Sequence, residues 1–266
     1  MIPSLTLTLA LLAAPARAAA PAATATAAAP AATATAAAPA AATPSAEARA
    51  LYDAGRYEDA ASAYEKLAAA SPRSAALQYD LGDADFKAGR LGRATASFER
   101  AFALDPRDSD IRFNLAFALR RAGEDFVPPG TPPALFWIFT ALSQRELGGL
   151  HWLAAWATLL LAGAGLLASA ERRRALAPWT AGAAAAWLVF GLWWAGLRAA
   201  LPPDRGVVVA PRAELRHGPG PNFGVAFTVP EGRRVRVLGA SGAWLEVGVL
   251  KEGARGWIQA DAIERL

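Results

Sequence analysis

The sequence predicts a multidomain protein that combines an all-α repeat array, a transmembrane helical hairpin and a small all-β barrel. Three observations indicate this fold class. Residues 46–126 repeat with a period of 34, residues 147–201 are mostly apolar, and residues 206–266 contain short strand-like runs separated by turn residues. The apolar middle lies between two ordinarily charged blocks, which is the charge profile of a membrane protein.

Two segments precede the array. Residues 1–18 contain a short apolar stretch followed by Ala16-Arg17-Ala18, a pattern typical of a cleaved secretory signal peptide. No Lys or Arg precedes the stretch, so an uncleaved segment is the alternative. Residues 19–45 contain almost nothing but Ala, Pro and Thr, with proline at a nine-residue period, and we predict a disordered tether. A glycosylated or wall-spanning stalk is the other interpretation of this segment.

The period of 34 predicts paired helices within residues 46–126. A shift of 34 residues aligns Gly55 with Gly89, Ala60 with Ala94, Tyr64 with Phe98, and Pro72 with Pro106. We expect the glycines at the turn between paired helices, where a positive φ is inexpensive for glycine alone. The alanines allow two helices to cross closely, the rings fill the space between repeats, and the prolines end the second helix.

These positions, with Leu81-Gly82 and Ala101, resemble the motif of the tetratricopeptide repeat. The first unit lacks the Leu-Gly pair, and a third unit begins near Ser109 and stops after one helix, which we expect to cap the array. The resemblance implies that the first helix of each unit lines a concave groove that binds peptides. The groove residues it implies are Tyr79, Asp83, Phe86, Lys87, Phe113, Asn114, Phe117, Arg120 and Arg121.

The composition of this groove favours one class of ligand. Aromatic side chains beside basic groups suit a peptide with an acidic or carboxylate end. The alternative is that Phe113 and Phe117 pack against the preceding helix and contact no ligand.

The middle of the chain contains a linker and two candidate spans. Residues 127–146 form a Pro-rich linker and a short apolar helix, which we expect at the membrane surface, with burial against the array as the alternative. Residues 147–170 and 179–201 are predicted transmembrane helices, because each carries at most one charge. At about 1.5 Å per residue each can cross the roughly 30 Å hydrocarbon core.

Charge predicts the orientation of the hairpin. Residues 171–178 form the predicted loop between the spans and contain Arg172, Arg173 and Arg174. Arginine in a short loop favours the cytoplasmic side. Both soluble parts are then extracytoplasmic, which is also where a signal peptide would deliver the amino-terminal region.

The last segment, residues 206–266, is a predicted β domain with five short runs and glycine-containing turns. The ordered set that includes Leu215–Gly220, Gly242–Val247 and Gly256–Ile258 resembles the bacterial SH3 family, which implies a small barrel. Trp244 and Trp257 are its candidate ligand surface, and packing in the core is the alternative. Arg233, Arg234 and Arg236 form a predicted basic edge of the barrel.

Several function classes find no support in the sequence. The chain has no cysteine and two distant histidines, which excludes thiolate chemistry and disfavours a histidine metal site. No Gly-rich stretch is followed by Gly-Lys-Ser/Thr, and the basic residues lack the interleaved aromatics of nucleic-acid binders. We therefore predict no enzyme activity, no cofactor, no metal and no nucleic-acid partner.

The order of the segments carries one further resemblance. A signal, tetratricopeptide repeats, two spans with a basic inner loop and an SH3-like barrel resemble the BatE-like proteins of the bacterial aerotolerance (Bat) operon. The resemblance implies a non-enzymatic inner-membrane scaffold whose partners include von Willebrand A-domain membrane proteins and a MoxR-type ATPase. The alternative is a peptidoglycan-binding membrane tether that recruits a cell-wall enzyme.

Overall fold

A computed structural model describes residues 43–128, 130–201 and 203–266. The predicted signal peptide and most of the predicted tether lie outside the described residues. The last two residues predicted as tether, Pro44 and Ser45, instead begin a helix. Thr43 caps this helix by accepting a hydrogen bond from the Ala46 N–H at 3.3 Å, and proline suits a first helical turn.

Within residues 43–128 the chain forms a helical array. Its helices are α1 (Pro44–Asp53), α2 (Tyr57–Ala70), α3 (Ala75–Lys87), α4 (Leu91–Leu104) and α5 (Ser109–Arg121). Gly55, Gly89 and Gly123 follow α1, α3 and α5 with φ values of 75°, 80° and 70°, which strain any other residue. The predicted turns between paired helices are therefore present at the predicted period, and the third unit contributes one helix to the array.

Small residues allow the helices of the array to approach closely. Ala60 and Ala94 are completely buried, and the rings of Tyr64 and Phe98 are buried beside them. A Cβ atom on Gly82 would lie 2.6 Å from the Phe98 ring. Glycine at this position therefore leaves room for the ring that joins α3 to α4.

Overpacking at Ala94 is expected to destabilise the array. Ala94→Leu inserts three carbon atoms at a fully buried helix crossing, which typically costs about 1–3 kcal/mol, whereas Ala69→Leu adds the same atoms at an exposed position. Thermal unfolding of the detergent-solubilised full chain should show a lower midpoint for Ala94→Leu. Equal midpoints for the two variants would count against the repeat packing.

A short helix and a long helical hairpin follow the array. They are α6 (Pro133–Phe139), α7 (Gln144–Leu167) and α8 (Ala170–Ala200). Ser143 and Glu146 form a capping box at the start of α7, in which each side chain binds the other residue's backbone N–H. The helices α7 and α8 are the most extensively packed pair of elements in the described chain.

The turn of the hairpin is shorter than predicted. We expected a loop over residues 171–178 and a helix start at Pro178, but α8 begins at Ala170 and Pro178 lies inside it. Arginine and alanine are good helix formers, so residues 170–177 extend the helix. Arg173 also donates from Nε to the Gly165 carbonyl oxygen at 3.0 Å, which satisfies one free carbonyl at the end of α7.

Few residues of the hairpin are fully buried. Gln144–Leu167 and Ala170–Ala199 are long and apolar enough to cross a membrane, and only 6% and 0% of their most apolar stretches are buried. A core helix of a soluble protein would be mostly covered by its neighbours. The two helices therefore suggest membrane association.

The carboxy-terminal residues form an antiparallel sheet in the order β3-β2-β6-β5-β4-β1-β7. Its strands are β1 (Arg205–Val208), β2 (Arg212–Arg216), β3 (Val225–Pro230), β4 (Arg234–Ser241), β5 (Trp244–Val249), β6 (Ala254–Gln259) and β7 (Ile263–Arg265). One core of mainly Val, Leu and Ile side chains joins them. The five predicted runs fall on β1, β2, β4, β5 and β6. Strands β3 and β7 were not predicted. Only Val229 of β3 is fully buried, so β3 lacks a clear alternating pattern, and β7 is only three residues long.

The barrel packs directly against the array. The Gly92 N–H at the start of α4 donates to Glu231 Oε1 at 2.7 Å, and a Cβ on Gly92 would lie 2.3 Å from the Val208 carbonyl oxygen. The predicted basic edge is partly wrong, because Arg233 and Arg234 are buried in this interface.

Two buried carboxylates of the array form ion pairs with arginines of the barrel. The Glu124 carboxylate lies 3.2 Å from the guanidinium group of Arg233 and 3.3 Å from that of Arg234. The Glu99 carboxylate lies 3.2 Å from the guanidinium group of Arg205 and 3.6 Å from that of Arg234. The carboxy-terminal domain therefore covers the outer side of the array and leaves the inner side open.

Candidate functional site

The groove on the inner side of the array contains a pocket of about 270 Å³. Helices α1, α3 and α5 supply most of its lining. The lining residues are Tyr52, Asp83, Phe86, Lys87, Phe98, Phe113, Asn114 and Phe117. Six of the nine predicted groove residues thus line one pocket. Tyr79 accepts a hydrogen bond from the lining residue Asn114. Arg120 and Arg121 lie over the rings of the lining residues Phe117 and Phe86, respectively.

Asn114 connects the two inner helices α3 and α5 at the floor of the groove. Its Nδ2 group donates to the Tyr79 hydroxyl oxygen at 2.9 Å and to Asp83 Oδ1 at 3.0 Å. These bonds fix the orientation of the amide. Within the described part of the chain, the Asn114 Oδ1 atom accepts no hydrogen bond, so it is available to an N–H group of a ligand.

Carboxylates give one end of the groove its electrostatic character. Burial raises the pKa of Asp83, and the neighbouring charge of Asp80 raises it further. Burial likewise raises the pKa of Asp80, and burial followed by the charge of Asp83 raises the pKa of Tyr79 to about 12. These carboxylates are poorly solvated, so this end of the groove favours a positively charged or N–H-rich group.

Exposed aromatic rings form the middle of the groove. Phe117 packs edge-to-face on Phe86 of α3 with ring centroids 5.5 Å apart, and 39% of Phe117 remains exposed. Phe113 is 65% exposed. Exposed phenylalanine side chains of this kind are typical of binding surfaces.

Two arginines form the other end of the groove. The Arg120 guanidinium lies 5.9 Å from the Phe117 ring centroid, and that of Arg121 lies 5.8 Å from the Phe86 centroid. Among the residues that the structure describes, no carboxylate forms an ion pair with either arginine. The groove therefore runs from a carboxylate end, across aromatic rings, to a cationic end.

The barrel contains a second concave surface, a cleft of about 350 Å³. Trp244 lines it together with polar side chains of Arg212, Glu214, Arg216, Gln259 and Asp261. The strand register places Trp244 opposite Gln259 and Glu246 opposite Trp257, whereas the core residues Leu245 and Ile258 alternate with them. Both tryptophans therefore lie on the outer face of the sheet, and of the two Trp244 lines the cleft.

Comparison with known families agrees with this architecture. Residues 45–100 and 79–125 match the family described as tetratricopeptide repeat, and residues 211–264 match the bacterial SH3 domain. Tetratricopeptide repeats and a bacterial SH3 domain are therefore found in the chain. No curated protein matched the chain. Both domain types are typically non-catalytic interaction modules, and the predicted fold class is confirmed.

Two lining residues of the tetratricopeptide groove were not among the predicted groove residues, namely Tyr52 and Phe98, the second of which was predicted only as a ring that fills the space between repeats. Tyr52 of α1 lines the pocket, and it lies 34 residues before Phe86, which lies 34 residues before Arg120. Extending the repeat shift to these positions would have predicted Tyr52. The first unit lacks the Leu-Gly pair, but its helix still contributes to the groove.

Proposed function

We propose that the protein is a non-enzymatic scaffold of the bacterial inner membrane that binds protein partners on the extracytoplasmic side. The observation that carries this proposal is the open groove with exposed Phe113 and, at one end, Arg120 and Arg121, which form no ion pair with any described residue. A pocket lined by aromatic rings with a few polar groups at fixed positions is the usual form of a specific binding site. The SH3 domain supports the array from its outer side and offers a second interaction surface.

The polarity of the groove favours a peptide bound in one direction. Acidic side chains or a terminal carboxylate would lie at Arg120 and Arg121, where charge-assisted hydrogen bonds are strong. An apolar side chain would contact Phe113, and a backbone N–H would donate to Asn114. A helical or extended peptide segment meets these requirements.

The order of the domains supports a more specific assignment. Tetratricopeptide repeats, two apolar helices and a bacterial SH3 domain follow each other as in the BatE-like proteins of the aerotolerance operon. We propose that this scaffold acts in a Bat-type envelope-stress complex, with von Willebrand A-domain membrane proteins as partners.

A photo-crosslinking amino acid at position 113 tests the groove. We expect irradiation of native cells to join the protein to a partner from position 113. The same amino acid at Phe223, an exposed position of the barrel, serves as the control. A partner adduct at position 223 and none at position 113 would contradict the proposal.

A second candidate function is a peptidoglycan-binding tether that recruits a cell-wall enzyme. The exposed face of Trp244 beside a polar cleft favours it, because a sugar offers both an apolar ring face and hydroxyl groups. Cosedimentation of the full chain with murein sacculi tests this candidate. Loss of cosedimentation in Trp244→Ala would support it, and no cosedimentation of the wild type would contradict it.

The orientation of the hairpin gives a topology prediction. A reporter that is active only outside the cytoplasm should work when fused after Leu266 or inserted at Gly130, and should fail when inserted after Ser169 in the turn of the hairpin. Neutral residues at Arg172, Arg173 and Arg174 should weaken this preference. The reverse pattern of reporter activity would contradict the orientation.

A further inference from the structure

Two arginines lie at the same level at one end of the hairpin. This end, where α7 begins and α8 ends, is called the array end. A Cβ on Gly148 would lie 3.7 Å from the Trp194 ring, so these residues are neighbours on the antiparallel helices. Arg145 lies three residues from Gly148 and Arg198 four residues from Trp194, both toward the array end. At about 1.5 Å per residue, both arginines lie about 5 Å beyond the same contact.

Neither arginine has a carboxylate partner within the described chain. Both are exposed, and the Arg198 guanidinium lies over the Trp194 ring at 5.1 Å. The carboxylates nearest to them in the sequence are already paired, because Glu146 accepts from Arg107 and the Asp204 carboxylate lies 2.9 Å from Arg236. The array end of the hairpin therefore has two cations that nothing in the described chain neutralises.

Helix α6 places an apolar surface beside this cationic pair. Phe139 of α6 contacts α8: a Cβ on Gly196 would lie 3.0 Å from its ring, and its carbonyl oxygen accepts from Trp193 Nε1 at 3.3 Å. Leu135 and Ile138 share the same side of α6, because helix positions three and four apart are neighbours. They are 47% and 55% exposed, so α6 adds uncovered apolar surface next to the segment of α8 that contains Trp193 and Gly196.

We propose that the array end of the hairpin binds an anionic phospholipid. The lipid phosphate binds between Arg145 and Arg198, and one acyl chain lies along Leu135 and Ile138. Guanidinium groups are well suited to phosphate, and a tryptophan beside a cation is typical of the membrane interface. The proposal requires that the hairpin lies in a bilayer, but it does not depend on which side the array faces or on what the groove binds.

Native mass spectrometry of the full chain in detergent, titrated with phosphatidylglycerol, tests the site. An arginine near an anionic lipid surface contributes about five-fold in affinity, so Arg145→Gln with Arg198→Gln should weaken binding by about 25-fold. The matched control replaces Arg172, Arg173 and Arg174 with Gln at the opposite end of the hairpin. It removes more charge and should leave this binding unchanged.

Two further comparisons distinguish binding of a whole lipid from binding of phosphate alone. Leu135→Gln with Ile138→Gln keeps the charges and should also weaken binding, whereas phosphatidylcholine and glycerol 3-phosphate should not compete for the site. Wild-type affinity in the Arg145/Arg198 variant, or an equal loss in the control at the opposite end, would overturn the proposal. Competition by glycerol 3-phosphate as effective as that by phosphatidylglycerol would also overturn it, because the site would then bind phosphate without lipid.

Discussion

Replacing Glu124 with alanine is expected to lower the free energy of unfolding of the full chain by about 3–5 kcal/mol. Glu124 is 3% exposed, and the arginines that it pairs with, Arg233 and Arg234, are 8% and 9% exposed. Without the carboxylate, two buried guanidinium groups lose the partner that they share, and each keeps one carboxylate, Glu252 for Arg233 and Glu99 for Arg234. Buried charge that is only partly compensated still costs more than the loss of a surface ion pair.

Asp53→Ala is the matched control for this prediction. Asp53 pairs with Arg49 at 3.0 Å, but both side chains are largely exposed, and removal of such a pair costs at most about 1 kcal/mol. Urea unfolding of the detergent-solubilised chain, followed by far-UV circular dichroism, measures both changes. If the two variants lost similar stability, the array and the barrel would not be held together by the buried charges.

Reversing the charge at the cationic end of the groove should have the other large effect. Arg120→Glu with Arg121→Glu replaces two cations with two anions where the proposed ligand carries a carboxylate. A hydrogen bond to a charged group contributes about 1.5–3 kcal/mol, so the loss is at least about ten-fold in affinity. We expect the crosslinking yield from position 113 to fall accordingly.

A control for this variant keeps the net charge change and moves it away from the groove. Arg73 and Arg93 are exposed, in the turn between α2 and α3 and on the outer helix α4. Changing both to Glu should leave the crosslinking yield at its wild-type level. An equal fall in both variants would indicate a long-range effect of net charge, and the groove would lose its proposed role.

Local rules predicted much of the array. The glycine turns at Gly55 and Gly89 and the buried Ala94 follow from backbone conformation and side-chain size, which act over a few residues. The groove positions could be predicted because a repeat brings residues at equal spacing to the same face. Their role in binding stays a prediction, since exposure and geometry alone do not identify a ligand.

The interface between the array and the barrel could not be predicted in the same way. Glu99 and Arg205 are 106 residues apart, and in the sequence each resembles an ordinary surface charge. Their burial depends on how two domains pack, for which the chain carries no periodic signal. The shorter hairpin turn was missed for the opposite reason, because the arginines that indicate a loop by charge also form helix well.

The interface also changes how the barrel should be tested. Deleting residues 206–266 would remove both arginine partners of Glu124 and one of the two partners of Glu99, Arg234, and would uncover the outer side of α4. A loss of function after that deletion would therefore not identify the barrel as the binding module. Trp244→Ala is the better variant, because it alters the outer face of the sheet and leaves the interface intact.

The most direct test of the central claim, that the groove selects the protein partner, is a pull-down from detergent-solubilised native membranes. It compares the wild type, the Arg120→Glu/Arg121→Glu variant and Trp244→Ala at equal amounts of full chain. We expect the partner to be recovered with the wild type and with Trp244→Ala, and to be lost with the groove variant. Full recovery with the groove variant and loss with Trp244→Ala would contradict the claim and assign recognition to the barrel.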